Sequence, residues 1–269
     1  MRKAIRWVGP LLVVLMAACG TGEPDNEITA IKKARQLLIT TTGTNVPFSY
    51  LGGSGEQGFD VDLGNAIAEK LGVKPRWVKN SFDKHFDLVV GNKYDLAIAN
   101  ITINEERKKR VAFSDPYFTS GQILAARKED KSIKSADDLA GKKVGVHAAT
   151  TSESFARAHG AASRAEILVF DSVDAALLSL NSGSIDAVIG DFPVVVSSIR
   201  TGFPHVHTIG EPLTVEPYGV VVRLGEAALL KIVNDTLAEL KQSGKYDQMV
   251  KKWFGDSPEL IRYIKRQAE

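Results

Sequence analysis

Cysteine and histidine are scarce in this 269-residue sequence, which has one cysteine and five histidines. A single cysteine excludes an internal disulfide framework. The histidines are scattered, and they form neither a Cys/His cluster typical of a metal site nor a Ser–His–Asp pattern typical of a hydrolase. We therefore expect no metal, no cofactor and no catalysis of the hydrolase type.

Net charge is also small, at +2. The first 18 residues carry three basic and no acidic side chains, so the rest of the chain has a net charge of −1. A domain that binds nucleic acid is usually clearly basic, and this balance argues against a nucleic-acid partner. The one dense basic run is 107–110, in which Lys108 to Arg110 are interpreted as a solvent-exposed face.

Long apolar runs are absent except near the N-terminus, where basic residues precede an apolar run over 7–18. The run is shorter than the roughly 20 residues of a membrane-spanning helix, and its layout predicts a signal peptide over 1–18. A short buried core helix is the alternative. The run ends in Leu-Met-Ala-Ala-Cys-Gly, which resembles a bacterial lipobox with Met16 at the position that usually carries Leu. This resemblance implies a lipid on Cys19, a tether over 19–27 and anchoring at the periplasmic or extracellular face of a membrane; an unmodified cysteine in a cleaved signal is the alternative.

Short apolar runs typical of strands alternate with segments of helical periodicity along the rest of the chain. The predicted strands are 37–41, 74–78, 96–99, 122–127, 143–146, 167–170, 187–189 and 218–222. The predicted helices are 60–71, 82–90, 136–140, 152–159, 172–182 and 230–240. A hairpin is predicted from 48–51 and 58–59, which flank a glycine-rich turn. The alternation predicts an α/β protein with parallel strands that are buried on both faces.

Several further segments occur in a characteristic order. They are Gly-Phe-Asp-Val-Asp-Leu at 58–63, Ile-Thr-Ile-Asn-Glu-Glu-Arg at 101–107 and Phe-Ser-Asp-Pro-Tyr at 113–117, followed by 137–146, 185–191, 244–246 and 252–255. In order and spacing these segments resemble the type II periplasmic binding proteins that serve amino-acid ABC importers. The resemblance implies a two-lobed α/β fold with two hinge strands and the ligand in the interlobe cleft. Lobe 1 would span 28–117 plus 219–269, lobe 2 would span 122–213, and the chain would cross near 117–121 and 214–218.

The same resemblance implies a function in uptake. The protein would be a monomer that captures a polar amino acid and delivers it to a membrane permease with an ATPase behind it. Glutamine-binding members look nearest, so glutamine is the first expectation, followed by glutamate, asparagine and histidine.

Three residues match the positions that hold the two charged groups of an amino acid in this family. Arg107 matches the carboxylate-binding arginine, whose guanidinium offers two parallel donors. Thr150 and Glu153 have capping-box spacing at a helix start, where free amides favour an anion, and Thr151 matches a position that binds the same carboxylate. Asp191, after the strand at 187–189, matches the ammonium-binding acid; a turn residue before a proline is the alternative.

Further matches concern the walls of the cleft. Ala99 would supply its carbonyl and Thr102 its hydroxyl to the ammonium, and Asn100 stands where relatives tend to have Gly or Ser. Phe82 matches an aromatic that covers the ligand's aliphatic stem, although a phenylalanine at this spacing is otherwise a core residue.

The opposite wall departs from the family pattern. Asn45 replaces an aromatic and Thr42 replaces an aspartate, and the loss of this acid argues against a cationic ligand. His147 stands where some relatives have Leu or Lys, and a lone histidine is more often a structural residue than a ligand contact.

Two other classes of function remain open. Some members of this fold are cyclohexadienyl or arogenate dehydratases, but their catalytic glutamate has no evident match near 191–193. A sensory receptor domain would need a separate signalling partner. We therefore expect a binding protein and not an enzyme.

Overall fold

A computed structural model describes residues 27–53, 55–159 and 164–268. The predicted signal peptide and Cys19 lie outside these residues. Glu27, which was assigned to the tether, is instead buried at the start of a helix and contacts Arg223. No helix in the described part of the chain is long and apolar enough to cross a membrane.

The secondary structure alternates between short strands and helices, as predicted. In chain order, the strands are β1 Gln36–Thr41, β2 Thr44–Asn45, β3 Ser49–Gly52, β4 Gly55–Gln57, β5 Lys74–Lys79, β6 Leu96–Ala97, β7 Ala112–Phe113, β8 Phe118–Ser120, β9 Gln122–Arg127, β10 Lys143–His147, β11 Glu166–Phe170, β12 Ala187–Asp191, β13 Val206–Ile209, β14 Glu216–Tyr218 and β15 Val221–Val222. The helices are α1 Glu27–Ala34, α2 Phe59–Leu71, α3 His85–Val90, α4 Glu105–Lys108, α5 Thr151–Ala158, α6 Val173–Asn181, α7 Phe192–Gly202, α8 Ala227–Gln242, α9 Lys245–Phe254 and α10 Pro258–Ala268. Short 3₁₀ helices lie at Phe82–Lys84 and Ala136–Leu139.

Two five-stranded sheets form the centres of two lobes. The sheet of lobe 1 has the order β5-β1-β6-β15-β7, and the sheet of lobe 2 has the order β11-β10-β12-β9-β13. In each sheet four strands run in one direction and one strand, β15 or β9, runs against them. The prediction of parallel strands is therefore wrong for β9 and β15. Both strands enter from the hinge, at the edge where the parallel strands end, and so must run the opposite way.

The lobes are linked by the antiparallel strands β8 and β14, in which Ser120 pairs with Glu216 and Phe118 with Tyr218. The predicted strand at 218–222 is thus two strands, because Tyr218 belongs to β14 and the lobe 1 strand β15 begins later. This arrangement confirms the predicted two-lobed α/β class with two hinge strands.

An aromatic cluster anchors the hinge strands in lobe 1. The rings of Phe118 and Phe254 stack with centroids 5.1 Å apart, and Phe48 packs edge-on against Phe118 at 5.1 Å and against Tyr218 at 5.5 Å. All four side chains are buried. Offset and edge-on aromatic pairs of this kind add stability beyond the burial of area, so residues on β14 are held firmly relative to lobe 1.

Helix α2 shows how local sequence sets an element's limits. Leu63, Ile67 and Leu71 fall on its buried face, and Gly72 ends it in the left-handed conformation with φ 72°. The predicted second arm of the hairpin at 58–59 is wrong, since β4 ends at Gln57 and Phe59 already belongs to α2. The backbone amide of Phe59 donates to the carbonyl of Pro47, which ties the helix start to the preceding loop.

Candidate functional site

The carboxyl ends of the parallel strands in both sheets meet at the hinge, which is where α/β proteins bind ligands. A narrow, nearly closed cavity with about 10 Å³ of free volume lies there between the lobes. Its lining consists of Asn45, Phe82, Asn100, Thr102, Arg107, His147, Thr150, Thr151, Ser152, Val173, Asp191 and Val194. Nine of the eleven predicted ligand-binding residues are among them, and Thr42 and Ala99 are not. Their contact with a ligand stays a prediction.

A second, larger space is a surface groove between β8, α9 and α10, with about 1470 Å³ of empty space that includes open solvent. Its lining is largely apolar with lysines at the rim, and it lies outside the edge where the strands of the two sheets end. The polar interlobe cavity is therefore the candidate site.

Arg107 is placed by the short helix α4, where the side chain of Asn104 accepts a hydrogen bond from its backbone amide at 2.8 Å. Its guanidinium donates to the carbonyl of Thr102 at 2.8 Å and lies 5.3 Å and 5.4 Å from the ring centroids of Phe82 and Phe86. Desolvation lowers the pKa of Arg107, and nearby acids oppose this effect. Within the described ranges, no carboxylate forms an ion pair with Arg107.

Asp191 ends β12 and its side chain reaches into the cavity. The carboxylate accepts hydrogen bonds from the amide of Asn100 at 2.9 Å, the hydroxyl of Tyr218 at 2.6 Å and the amide of Gln122 at 2.7 Å. Burial, with a smaller contribution from Glu216, raises the pKa of Asp191 to about 6. Its side chain does not cap α7, so the alternative of a plain turn residue does not describe these contacts.

Asn100 connects the two walls of the cavity. Its φ of 43° is in the left-handed region, which asparagine tolerates better than most residues. Its backbone amide donates to Asp60 at 2.8 Å, and its side-chain oxygen accepts from Asn45 at 2.7 Å. Burial raises the pKa of Asp60 to about 7. A continuous polar chain thus runs from Asn45 in lobe 1 to Asp191 in lobe 2.

The start of α5 differs from the predicted capping box. The hydroxyl of Thr150 donates to the carbonyl of His147 at 2.7 Å, and the carboxylate of Glu153 accepts from the amide of Ala149 at 2.9 Å. The helix does begin where expected, but no side chain caps its first turn. The first backbone amides of α5 therefore have no side-chain partner. Thr150, Thr151 and Ser152 line the cavity, where a helix start of this kind favours an anion.

Thr42 lies behind the cavity wall. Its hydroxyl is 3.1 Å from Nε2 of His85, and Nδ1 of the same ring is 3.0 Å from the hydroxyl of Thr40. His85 is fully buried, and desolvation lowers its pKa to about 4. The predicted cavity residue His147 is also buried, which lowers its pKa.

Two buried residues escaped the sequence analysis. Glu216, on the hinge strand β14, accepts hydrogen bonds from Thr102 at 2.8 Å and Thr151 at 2.7 Å. Gln122, at the start of β9, donates to Asp191 and accepts from Ser152 at 2.6 Å. The available signal was a polar residue in each of the two crossover segments, Gln122 in one and Glu216 in the other, where an apolar residue would be expected.

Two lobes that meet at a hinge around a polar cavity define the class of two-lobed solute-binding proteins. This chain belongs to the bacterial extracellular solute-binding proteins, family 3, whose family model matches residues 37–256. The prediction of the family is thereby confirmed.

Curated relatives and solved structures agree with this assignment. The chain is 32% identical over 252 residues to the L-cystine-binding protein TcyJ of Escherichia coli (strain K12), covering 92% of this chain and 94% of the relative. It is 34% identical over 260 residues to the ABC transporter glutamine-binding protein GlnH of Bacillus subtilis (strain 168), covering 91% and 94%. An ancestral arginine-binding protein bound to glutamine is similar in structure, with a TM-score of 0.77, 41% identity and coverage of 82% of this chain and 98% of that one.

One further structural neighbour bears on the enzyme alternative. The ancestral amino acid-binding protein AncCDT-1, a precursor of cyclohexadienyl dehydratase, matches with a TM-score of 0.79 and 35% identity over 85% of this chain and 99% of that one.

Proposed function

We propose that this chain is the substrate-binding component of an amino-acid ABC importer and that it binds a polar amino acid, with glutamine as the first candidate. One observation carries the proposal. Arg107, which has no carboxylate partner in the described ranges, and Asp191, a half-buried acid, line the same cavity. A free amino acid carries a carboxylate and an ammonium, and this pair offers an opposite charge to each.

The choice of a polar ligand rests on the wall of the cavity that would face the side chain of the ligand. Asn45 and Asn100 are neutral hydrogen-bonding groups, and the wall behind them contains the neutral His85 and the hydroxyl of Thr42. Among the described residues that line the cavity, Asp191 is the single acid, so no second acid there faces a cationic side chain. Relatives named for glutamine and cystine stand beside relatives named for histidine and arginine at similar identity, so the similarity supports an amino-acid ligand and the cavity wall carries the choice among them.

The test is a thermal-shift screen of residues 20–269 against the twenty common amino acids, after unfolding and refolding to remove carried-over ligand. A ligand at 100 times its dissociation constant stabilises the folded state by about 2.7 kcal/mol. We expect a response to glutamine or to a few polar amino acids. Tight binding of arginine without a response to glutamine would refute the choice of ligand, and no response to any amino acid would refute the receptor.

Ligand binding is expected to favour closure of the lobes, because each contributes part of the site. Lobe 1 supplies Phe82, the carbonyl of Ala99 and Arg107, and lobe 2 supplies Thr151 and Asp191. Small-angle scattering with saturating glutamine should show a smaller radius of gyration than without it. The closed form would then dock on the permease.

Anchoring by a lipid on Cys19 belongs to the same proposal, although that residue lies outside the described ones. Membrane fractionation of cells that express the full chain tests it. The wild type should partition with membranes and a Cys19→Ser variant should not.

The second candidate is a dehydratase of the cyclohexadienyl type, favoured by the similarity to AncCDT-1. Asp191 and Glu216 place two acids near the cavity, but Glu216 does not line it. An assay for phenylpyruvate formation separates the two candidates, and we expect no turnover.

A further inference from the structure

Glu216 is a buried carboxylate that belongs to the hinge and not to either lobe's sheet, with 7% of its surface exposed. Its oxygen Oε2 accepts hydrogen bonds from the hydroxyls of Thr102 at 2.8 Å and Thr151 at 2.7 Å, and from the amide of Gln122 at 3.1 Å. Its other oxygen, Oε1, accepts from the hydroxyl of Thr214 at 3.0 Å. Four donors thus converge on one side chain, an environment that suits a group that only accepts.

The direction of these bonds decides what the two cavity hydroxyls can offer a ligand. A threonine hydroxyl has one proton and two lone pairs. Thr102 and Thr151 both direct their proton to Glu216, so that each hydroxyl can present only lone pairs to the cavity. Their oxygens lie 3.4 Å apart, one from each lobe. Gln122 also points an amide proton at the oxygen of Thr151 from 3.1 Å, which leaves that oxygen one lone pair.

We propose that Glu216 is a positioning residue that fixes both hydroxyls as hydrogen-bond acceptors and so makes them selective for the ligand's ammonium group. The ligand carboxylate is then left to Arg107 and to the amides at the start of α5, because neither hydroxyl has a proton to donate to it. The inference rests on the proposed function, since it assumes that the ligand is an amino acid. It adds a residue that does not line the cavity and acts on the ligand through Thr102 and Thr151. Its charge also contributes to the raised pKa of Asp191, and Glu216→Gln and Glu216→Met both remove that contribution.

The test uses two substitutions of similar size at one position. Glu216→Gln keeps a carbonyl oxygen that accepts from both hydroxyls but removes the charge. Glu216→Met removes the acceptor, so the hydroxyl protons are free to turn towards the cavity. The probes are L-glutamine and its 2-hydroxy analogue, in which a hydroxyl that both donates and accepts replaces the ammonium. Dissociation constants come from isothermal titration calorimetry of the refolded protein, residues 20–269.

We expect Glu216→Met to weaken L-glutamine binding by about 10- to 100-fold, since a hydrogen bond to a charged group contributes about 1.5–3 kcal/mol. The 2-hydroxy analogue should change by less than about threefold, because its hydroxyl pairs with a donor as well as with an acceptor. Glu216→Gln should bind L-glutamine within about fivefold of the wild type, because a neutral amide oxygen still accepts both protons.

Any result that differs from these expectations contradicts a specific part of the inference. Equal losses in the Met and Gln variants would show that the charge of Glu216 matters and the acceptor does not. Equal losses for both ligands would assign Glu216 a structural role only. A wild type that binds no amino acid would remove the proposed function as well, whereas a wild type that binds L-glutamine with an unaffected Met variant would remove this inference alone.

A second pair of variants keeps the test decisive if Glu216→Met does not melt cooperatively. Thr151→Val removes the proposed acceptor, and Thr151→Ser keeps it. Val should weaken L-glutamine by about 10-fold or more and the 2-hydroxy analogue by less, and Ser should restore the preference. If Val weakens both ligands equally, the hydroxyl does not act as an ammonium acceptor and the inference is wrong.

Discussion

Arg107 provides the sharpest separation between binding and stability in this protein. Its guanidinium is half-buried between Phe82 and Phe86, and one of its donors is used by the carbonyl of Thr102. No ion pair to a carboxylate compensates its charge in the described residues. An Arg107→Met substitution keeps an unbranched, polarizable side chain against the two rings and removes only the charge and the donors.

The Arg107→Met substitution should weaken ligand binding strongly and change the stability of the fold little. Loss of one partner from a desolvated charge pair costs about 2–5 kcal/mol, or roughly 30- to 5,000-fold in the dissociation constant for L-glutamine. The free energy of unfolding without ligand should stay within about 1 kcal/mol of the wild type. The lost cation–π contacts, about 0.5–1 kcal/mol each, are offset by relief of an unpaired, partly desolvated charge and by sulfur–aromatic contact.

The matched control is Arg110→Met, three residues further along the same basic run. Arg110 is exposed, contacts the ring of Phe86 at 5.9 Å and pairs with Asp87 at 2.5 Å. An exposed ion pair contributes about 0–1 kcal/mol, so this variant should bind within about twofold of the wild type. Calorimetric titration and urea unfolding of both variants give the two quantities. Binding by Arg107→Met within threefold of the wild type, or a loss of stability above about 3 kcal/mol, would refute the reasoning.

Three further predictions concern buried groups. Burial raises the pKa of Asp191 to about 6, and an ammonium ligand would lower it, so binding below pH 6 releases a proton. The affinity for L-glutamine should therefore fall about tenfold for each pH unit below 6. An affinity that does not change between pH 5 and 7 would contradict this prediction. His85, with its pKa lowered to about 4 by burial, favours the folded state while neutral, so its contribution is complete above pH 6.5 and is lost as the pH falls to 4. Urea unfolding should therefore show that the difference in free energy of unfolding between the wild type and His85→Gln shrinks by about 3 kcal/mol over this range. A difference that does not change with pH would contradict the assignment. The Tyr263 hydroxyl is buried without a hydrogen-bond partner in the described residues, so Tyr263→Phe should unfold at equal or higher urea, by up to about 1 kcal/mol, whereas a clear loss would reveal a partner for the hydroxyl.

Strands buried on both faces were predictable because their apolar runs are bounded by polar residues or glycine. The strand predicted at 122–127 is such a buried strand and is β9 without change. The strand predicted at 74–78 is one residue shorter than β5, which lies at the edge of its sheet and is mostly exposed, so burial does not explain that match. The direction of β9 was not predictable from its composition. It depends on the edge at which the chain enters the sheet, which is a property of the crossover and not of the strand.

The site was predictable mainly through resemblance to a family. Local patterns alone indicated only the helix start at Thr150 and the acid that follows a buried strand at Asp191. The direction of the Thr150 hydrogen bond was wrong, because capping-box spacing does not tell whether a hydroxyl donates to a preceding carbonyl or accepts from a following amide. That choice decides whether the amides of α5 are available to a ligand.

The residues that act from behind the lining leave the weakest trace in the sequence. Glu216 is one acidic residue in a crossover segment, and its effect depends on bringing Thr102 and Thr151 together from different lobes. Two relatives with identical lining residues would therefore offer a ligand different hydrogen-bonding groups if one had an acceptor at this position and the other an apolar residue. For this family, whether a hydroxyl in the cleft donates or accepts a hydrogen bond has to be inferred from the group behind it. Ligand assignments based on lining residues alone omit that group.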